Sequence, residues 1–303
     1  MRAVVVAAVV LALVAAASAS RSTPSANCER TSTGLVPLTD LGTRAYQGFG
    51  GGLYGGGKNQ PLPRYRKRAL EYARRVRPID GKVVLLSIGM SNTTQEFRVF
   101  KEQADADSRK STSVVIVDGA QGGQDAERIK SADAEFWRIV DARLARAGAS
   151  PRQVQVVWLK EAIARPTKPF PAHARGLQAD LRAIVAIARQ RYPNLRLVYV
   201  SSRTYGGYAS TALNPEPYAY ESGFAVKWLV QDRFAGRIKG PWVAWGPYLW
   251  TDGTRGRRDG VVWTCSDTRQ DGTHPSPSGA EKVSAMLLRF FTTEPSAKRW
   301  FVR

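Results

Sequence analysis

The sequence predicts an α/β fold, a parallel sheet with helices on both faces, and three observations predict it. Four short runs, residues 83–88, 113–117, 153–159 and 195–200, are apolar, rich in β-branched residues and free of proline. Runs of this kind are strands buried on both faces, as in a parallel sheet. The segments between them carry helical periodicity, and each run ends in a glycine-rich or polar loop. That alternation belongs to strand–helix–strand units, and in such sheets functional groups gather beyond the carboxyl ends of the strands.

The chain of 303 residues begins MRAVVVAAVVLALVAAASAS. Arg2 is a short basic start, residues 3–16 are apolar, and Ala17-Ser18-Ala19 is a small-residue cleavage site. This reads as a secretory signal peptide over residues 1–19, so the mature chain is expected to be secreted or periplasmic. The apolar run is short for a membrane span, and no later stretch is long enough. Residues 20–33 are a polar arm, expected to be loose apart from Cys28. Residues 34–303 show no internal repeat or linker and are expected to form a single domain.

The two cysteines, Cys28 and Cys265, are an even count in a chain expected to be exported, which favours a disulfide over two unrelated buried thiols. Closing a loop of about 240 residues contributes up to about 5 kcal/mol in the chain-entropy account. The cysteines and two histidines lack ligand spacing, so no metal site is expected. Lys and Arg number 45 against 25 Asp and Glu, a net charge of +20. Such an excess attracts polyanions, although a compositional bias toward arginine gives the same count. No nucleic-acid-binding motif accompanies it, so no specific nucleic-acid partner is expected.

Within the domain, residues 52–59 (GLYGGGKN) imitate a phosphate-binding loop. No strand precedes them, and Asn59 stands where a metal-binding hydroxyl is required. Close backbone packing, or a loop beside the active site, is the expected use of these glycines. Helices are expected over 65–76, with a strongly basic face, and over 94–105, 132–147, 177–192, 221–234 and 278–291. Residues 242–250 (WVAWGPYLW) are expected to hold a fifth strand.

The first strand runs into Gly89-Met90-Ser91-Asn92. A serine at a strand-to-helix turn presents its hydroxyl at the sheet's carboxyl edge and its N–H at a helix N-terminus, the position of a nucleophile that helps build its own oxyanion hole. The same serine also suits a helix cap. His173, just ahead of a helix, reads as structural. His274 lies in Asp271-Gly-Thr-His-Pro-Ser-Pro-Ser-Gly279, before the last helix. A carboxylate and an imidazole at this spacing on a turn can pair, leaving the second ring nitrogen free as a base.

Gly89-Met90-Ser91-Asn92 after the first strand, Gly122-Gly123 after the second and Asp271-x-x-His274 before the last helix fall in one order. In that order the chain resembles the SGNH (GDSL-like) hydrolases, esterases on a flavodoxin-like three-layer α/β/α fold. The resemblance spans most of the mature chain, and DGTHPSPSG is its most specific part. It implies a cofactor-independent serine esterase. Ser91 would be the nucleophile, His274 the base and Asp271 the residue that orients it. The N–H groups of Ser91 and Gly123 would be oxyanion donors, with Gly122 the alternative. The family usually adds an asparagine after the third strand, but this chain has Trp158-Leu-Lys160-Glu161-Ala162 there. Lys160 is then the nearest candidate for a third donor, unless it pairs with Glu161 or another carboxylate.

Asn92, Gly122, Arg203, Tyr205 and Trp250 are candidate substrate contacts, together with Tyr218, Tyr220, Trp245 and Tyr248. Aromatic faces with polar neighbours suit sugar rings, and the same residues equally suit a core. The resemblance implies removal of acetyl or similar small acyl groups from a glycan. The competing class is a non-catalytic polysaccharide- or polyanion-binding protein of the same fold.

Overall fold

The computed structural model describes residues 25–303; the expected signal peptide, residues 1–19, lies outside the described residues. Five parallel strands form the sheet: β1 (Val83–Gly89), β2 (Val114–Asp118), β3 (Val154–Lys160), β4 (Leu197–Val200) and β5 (Trp242–Trp245). Their order across the sheet is β2-β1-β3-β4-β5. Every residue of β1, β3, β4 and β5 is buried, which is why these runs show no alternation of apolar and polar residues. The chain leaves β1 in one direction for β2 and returns to the other side for β3. The crevice at their carboxyl ends is therefore a topological switch point.

Helices cover both faces of the sheet. On one side lie α1 (Pro63–Ala73), α2 (Ser91–Ala106), α6 (Pro277–Thr293) and α7 (Pro295–Phe301), joined by the α2–α6, α6–α7 and α1–α7 contacts. On the other lie α3 (Glu135–Arg146), α4 (Ala172–Arg191) and α5 (Tyr218–Phe234), with α4 packed on α5 and Arg191 of α4 paired to Asp141 of α3. The expected three-layer α/β/α architecture is the one observed. No helix among the described residues is long and apolar enough to cross a membrane.

The run 242–250 holds the expected fifth strand, which ends at Trp245 because Gly246-Pro247 ends the ladder, and one expectation, the loose arm, needs correction. α7 follows the last expected helix, and Pro295 opens it as a first-turn residue. The arm is not loose beyond Cys28. Buried Asp252 accepts hydrogen bonds from the Ser32 hydroxyl (2.5 Å), the Thr33 N–H and hydroxyl (2.7 and 2.8 Å) and the Gly34 N–H (3.2 Å). A buried carboxylate needs such donors, and the arm supplies them. Cys28 and Cys265 are bonded, tying the arm to the turn before Asp271.

α5 is buried almost all round, since the glycine-rich segment lies over the face it turns away from the sheet. Tyr46 stacks on Phe224, and the Lys227 ammonium donates to the carbonyls of Gly50 (2.5 Å) and Gly51 (2.6 Å). A Cβ on Gly57 would stand 2.5 Å from the Gly42 carbonyl carbon, so these glycines serve close backbone packing.

Candidate active site

β1 ends at Gly89, where a Cβ would lie 2.4 Å from the carbonyl oxygen of Lys160, so only glycine lets the neighbouring strand pass this close. Met90 is extended, and α2 begins at Ser91 itself rather than at Thr94. Ser91 is thus the first helical residue, and its N–H has no intrahelical acceptor. The next three side chains pin this turn to three different elements. Asn92 Nδ2 donates to the Thr273 carbonyl (2.7 Å), Thr93 Oγ1 donates to the Lys160 carbonyl of β3 (2.7 Å), and Thr94 Oγ1 donates to Asp118 of β2.

The Asp271–His274 turn closes on itself. Asp271 Oδ1 accepts from the N–H groups of Thr273 and His274, each at 3.0 Å, and Oδ2 lies 2.5 Å from His274 Nδ1. His274 Nε2 lies 2.8 Å from Ser91 Oγ. Gly272 makes the turn possible: its φ is +64°, and a Cβ there would stand 1.8 Å from the Tyr208 carbonyl oxygen. Ser276 then caps α6 by accepting from the Gly279 N–H, and Pro277 takes the first helical position. The proline–serine alternation after His274 is therefore a helix start that fixes where the imidazole sits.

Partial burial works to raise the pKa of Asp271, but the hydrogen bonds from the His274 ring and from the two backbone N–H groups outweigh it and hold the carboxyl below its usual value. The carboxylate is ionised at neutral pH, and its contact with Nδ1 leaves Nε2 as the acceptor facing the Ser91 hydroxyl.

The loop after β2 reaches the same place. A Cβ on Gly122 would lie 4.0 Å from Ser91 Cβ, and Gly123 has a φ of +72°. The loop is braced from both sides: Gln121 N–H donates to the Gly89 carbonyl (2.9 Å), Gln121 Nε2 to the Phe136 carbonyl (2.9 Å), and Arg143 Nη1 to the Ala120 carbonyl (2.7 Å). Among the described residues nothing accepts a hydrogen bond from the N–H of Ser91, Gly122 or Gly123. The structure thus brings Ser91, Asp271, His274, Asn92 and Gly122 together, with Gly123 beside them.

Lys160 does not join them. Its side chain is fully buried, and the ammonium is clasped by both carboxylate oxygens of Glu96 at 2.5 Å. Burial lowers the lysine's pKa, and the Glu96 carboxylate opposes that shift. An ammonium sealed in this way is not presented to an oxyanion, so the third-donor expectation is corrected in favour of a carboxylate pairing, with Glu96 rather than Glu161. Glu96 was missed in the sequence. The signal was present, because Glu96 falls on the buried stripe of α2 with Thr93, Phe97, Phe100 and Ala104, where a charge requires a partner.

Three expected substrate contacts are also core. Arg203 is buried, and its Nε donates to Asn214 Oδ1 (3.1 Å). The Tyr205 hydroxyl donates to the Arg30 carbonyl (2.7 Å), and Trp250 Nε1 donates to Glu216 Oε1 (2.7 Å). Tyr220 and Tyr248 are buried as well. His173 is structural as expected, 3.3 Å from Glu221 inside the α4–α5 contact.

Glu216 organises this cluster by also accepting from the N–H groups of Gly206 (2.7 Å) and Tyr220 (3.0 Å). Burial pushes its pKa up from 4.5 to about 7, while these three hydrogen bonds pull the other way. A carboxyl with a raised folded-state pKa binds its proton more tightly folded than unfolded. Between pH 4.5 and about 7 it therefore costs stability as pH rises, by about 3 kcal/mol over the whole window. The melting temperature should fall across that window, and Glu216→Gln should flatten the fall. A variant that tracks the parent at every pH would remove Glu216 from the account.

No family model matches the chain, and no curated protein matches its sequence. Solved structures resemble it at low identity. The lipopolysaccharide acetyltransferase periplasmic domain of Salmonella ser. Paratyphi A is 14% identical with a TM-score of 0.43, over 76% of this chain and 95% of that one. A gut microbial diltiazem-metabolizing enzyme is 13% identical (TM-score 0.39), over 72% of this chain and 48% of that one. A salicylyl-acyltransferase from a tetracycline biosynthetic pathway is 14% identical (TM-score 0.36), over 71% and 56%. Likenesses of this size leave the activity to be argued from the site itself.

Proposed function

We propose that the chain is a serine esterase in which Ser91, His274 and Asp271 form a catalytic triad. The observation that supports this reading is the unbroken chain of contacts from Ser91 Oγ to His274 Nε2 (2.8 Å) and from His274 Nδ1 to Asp271 Oδ2 (2.5 Å). Ser91 Oγ attacks the ester carbonyl carbon and its proton passes to His274 Nε2, while Asp271 stabilises the imidazolium. The carbonyl oxygen becomes an oxyanion, held by the N–H of Ser91 and that of Gly123 or Gly122. Collapse expels the alcohol, which takes the proton from Nε2, and leaves Ser91 acylated. Water then attacks the acyl carbon, gives a proton to Nε2, and releases the acid as that proton returns to Ser91.

The substrate in this reading is an O-acetylated or similarly acylated glycan met outside the cytoplasm. The disulfide supports export, since such bonds persist in oxidising compartments. Aryl esters of increasing acyl length and a panel of acetylated glycans test it, with acid release as the readout. Acetyl esters should exceed octanoyl esters at least about tenfold in kcat/KM, and at least one glycan should release acetate. A preference for long acyl chains would contradict this substrate class.

A further inference from the structure

β5 is the edge of the sheet, and β3 and β4 separate it from β1, a distance of about 14 Å. Beside it two adjoining cavities of about 390 and 240 Å³ share Tyr54, Gln60, Tyr65 and Phe234. The rings form a flat stack. Tyr65 and Phe234 have centroids 3.9 Å apart, and Tyr54 lies within 4° of the plane of Phe234 at 5.8 Å. Trp242 and Trp245 also line the larger cavity, and the Tyr54 hydroxyl has no hydrogen-bond partner among the described residues. Leu62, an exposed large apolar side chain, is at the rim of the smaller one.

The groove runs along the basic helix α1. Residues 58–77 hold eight Lys and Arg against one acid, Glu71, which pairs with Arg68. Arg64, Arg66, Lys67 and Arg68 are exposed, and Arg66 also lines the larger cavity. That cavity contains a carboxylate as well, Glu294, beside the neutral amides of Asn59 and Gln60.

We propose that this groove binds an acidic polysaccharide, with a sugar ring against Tyr54 and the chain's anionic groups along α1, where Arg64 lies over the Tyr65 ring. Flat aromatic rings with polar tips suit a surface that is apolar on one face and hydroxylated at its edge. Glu294 and Gln60 accept from or donate to hydroxyls, while Asn59 ties the loop to the Thr39 carbonyl and the Leu53 N–H. The carboxylate inside the cavity keeps anionic groups out of it, so hydroxylated ring edges enter and the polymer's carboxylates lie outside, along α1. The cations of α1 steer such a polymer onto the groove. The site does not depend on the proposed ester hydrolysis.

The test is titration calorimetry of the full chain with polygalacturonate, with dextran as the neutral polymer and a single-stranded oligonucleotide as the rival anion. Polygalacturonate should bind, and its affinity should fall at least about fivefold in Tyr54→Ala. The triple variant Arg64→Gln, Arg66→Gln, Lys67→Gln should lose at least about tenfold, and so should the parent when salt is raised to about 0.5 M. Gln60→Ala, at an exposed loop position, should weaken binding without disturbing the fold, and hydrolysis of a small aryl ester should be unchanged in all variants. No binding of polygalacturonate would overturn the proposal. So would equal binding by parent, Tyr54→Ala and Gln60→Ala, or tighter binding of the oligonucleotide lost in the same variants.

Discussion

Ser91→Ala and His274→Ala are each expected to lower turnover about 10⁶-fold while leaving the melting temperature within a few degrees of the parent. The size follows from what each atom does in the proposed mechanism: without Oγ no acyl intermediate would form, and without Nε2 the hydroxyl 2.8 Å away would keep its proton. The double variant should lose little beyond either single one, since the members act as a unit. Asp271→Asn should cost about 10⁴-fold, because an amide cannot accept from Nδ1 and stabilise the imidazolium as the carboxylate does. Acid release by Ser91→Ala at near-parental turnover would end the mechanism.

The second large effect is on stability and concerns Lys160. Lys160→Met leaves Glu96 fully buried without its counter-ion, and Glu96→Gln leaves the ammonium in the same position. Removing one partner of a buried pair typically costs about 3–5 kcal/mol, whereas replacing both by apolar side chains is often neutral. Urea unfolding should therefore show each single variant destabilised by about 3–5 kcal/mol, and Lys160→Met combined with Glu96→Leu restored to within about 1 kcal/mol of the parent. The opposite pattern, a hundredfold loss of turnover with unchanged stability in Lys160→Met, would return the lysine to the oxyanion hole.

These two sites mark what was legible in the sequence and what was not. The meeting of Ser91 with Asp271 and His274 was legible because local constraints write it: a strand that must end in Gly89, a turn that must contain Gly272, and a cap that must follow at Ser276. The layered fold was legible for the same reason, since strands buried on both faces leave unbroken apolar runs. Lys160 and Trp250 were misread because their roles depend on partners far along the chain. Glu96 lies on a different element from Lys160, and Glu216 reaches Trp250 only once α5 and the segment after β5 are packed together. An exposed aromatic and a core aromatic look alike until that carboxylate is in place. The start of α2 was misplaced by a few residues because Ser91 is both the strand-to-helix turn and the first helical residue.

The most direct measurement of the central claim is labelling with a fluorophosphonate, which reacts only with a serine whose proton a neighbouring base can take. Peptide mapping after labelling should place the phosphonate on Ser91, and the signal should vanish in His274→Ala although Ser91 is still present. An unlabelled parent, a label on any other residue, or undiminished labelling in His274→Ala would contradict an activated Ser91.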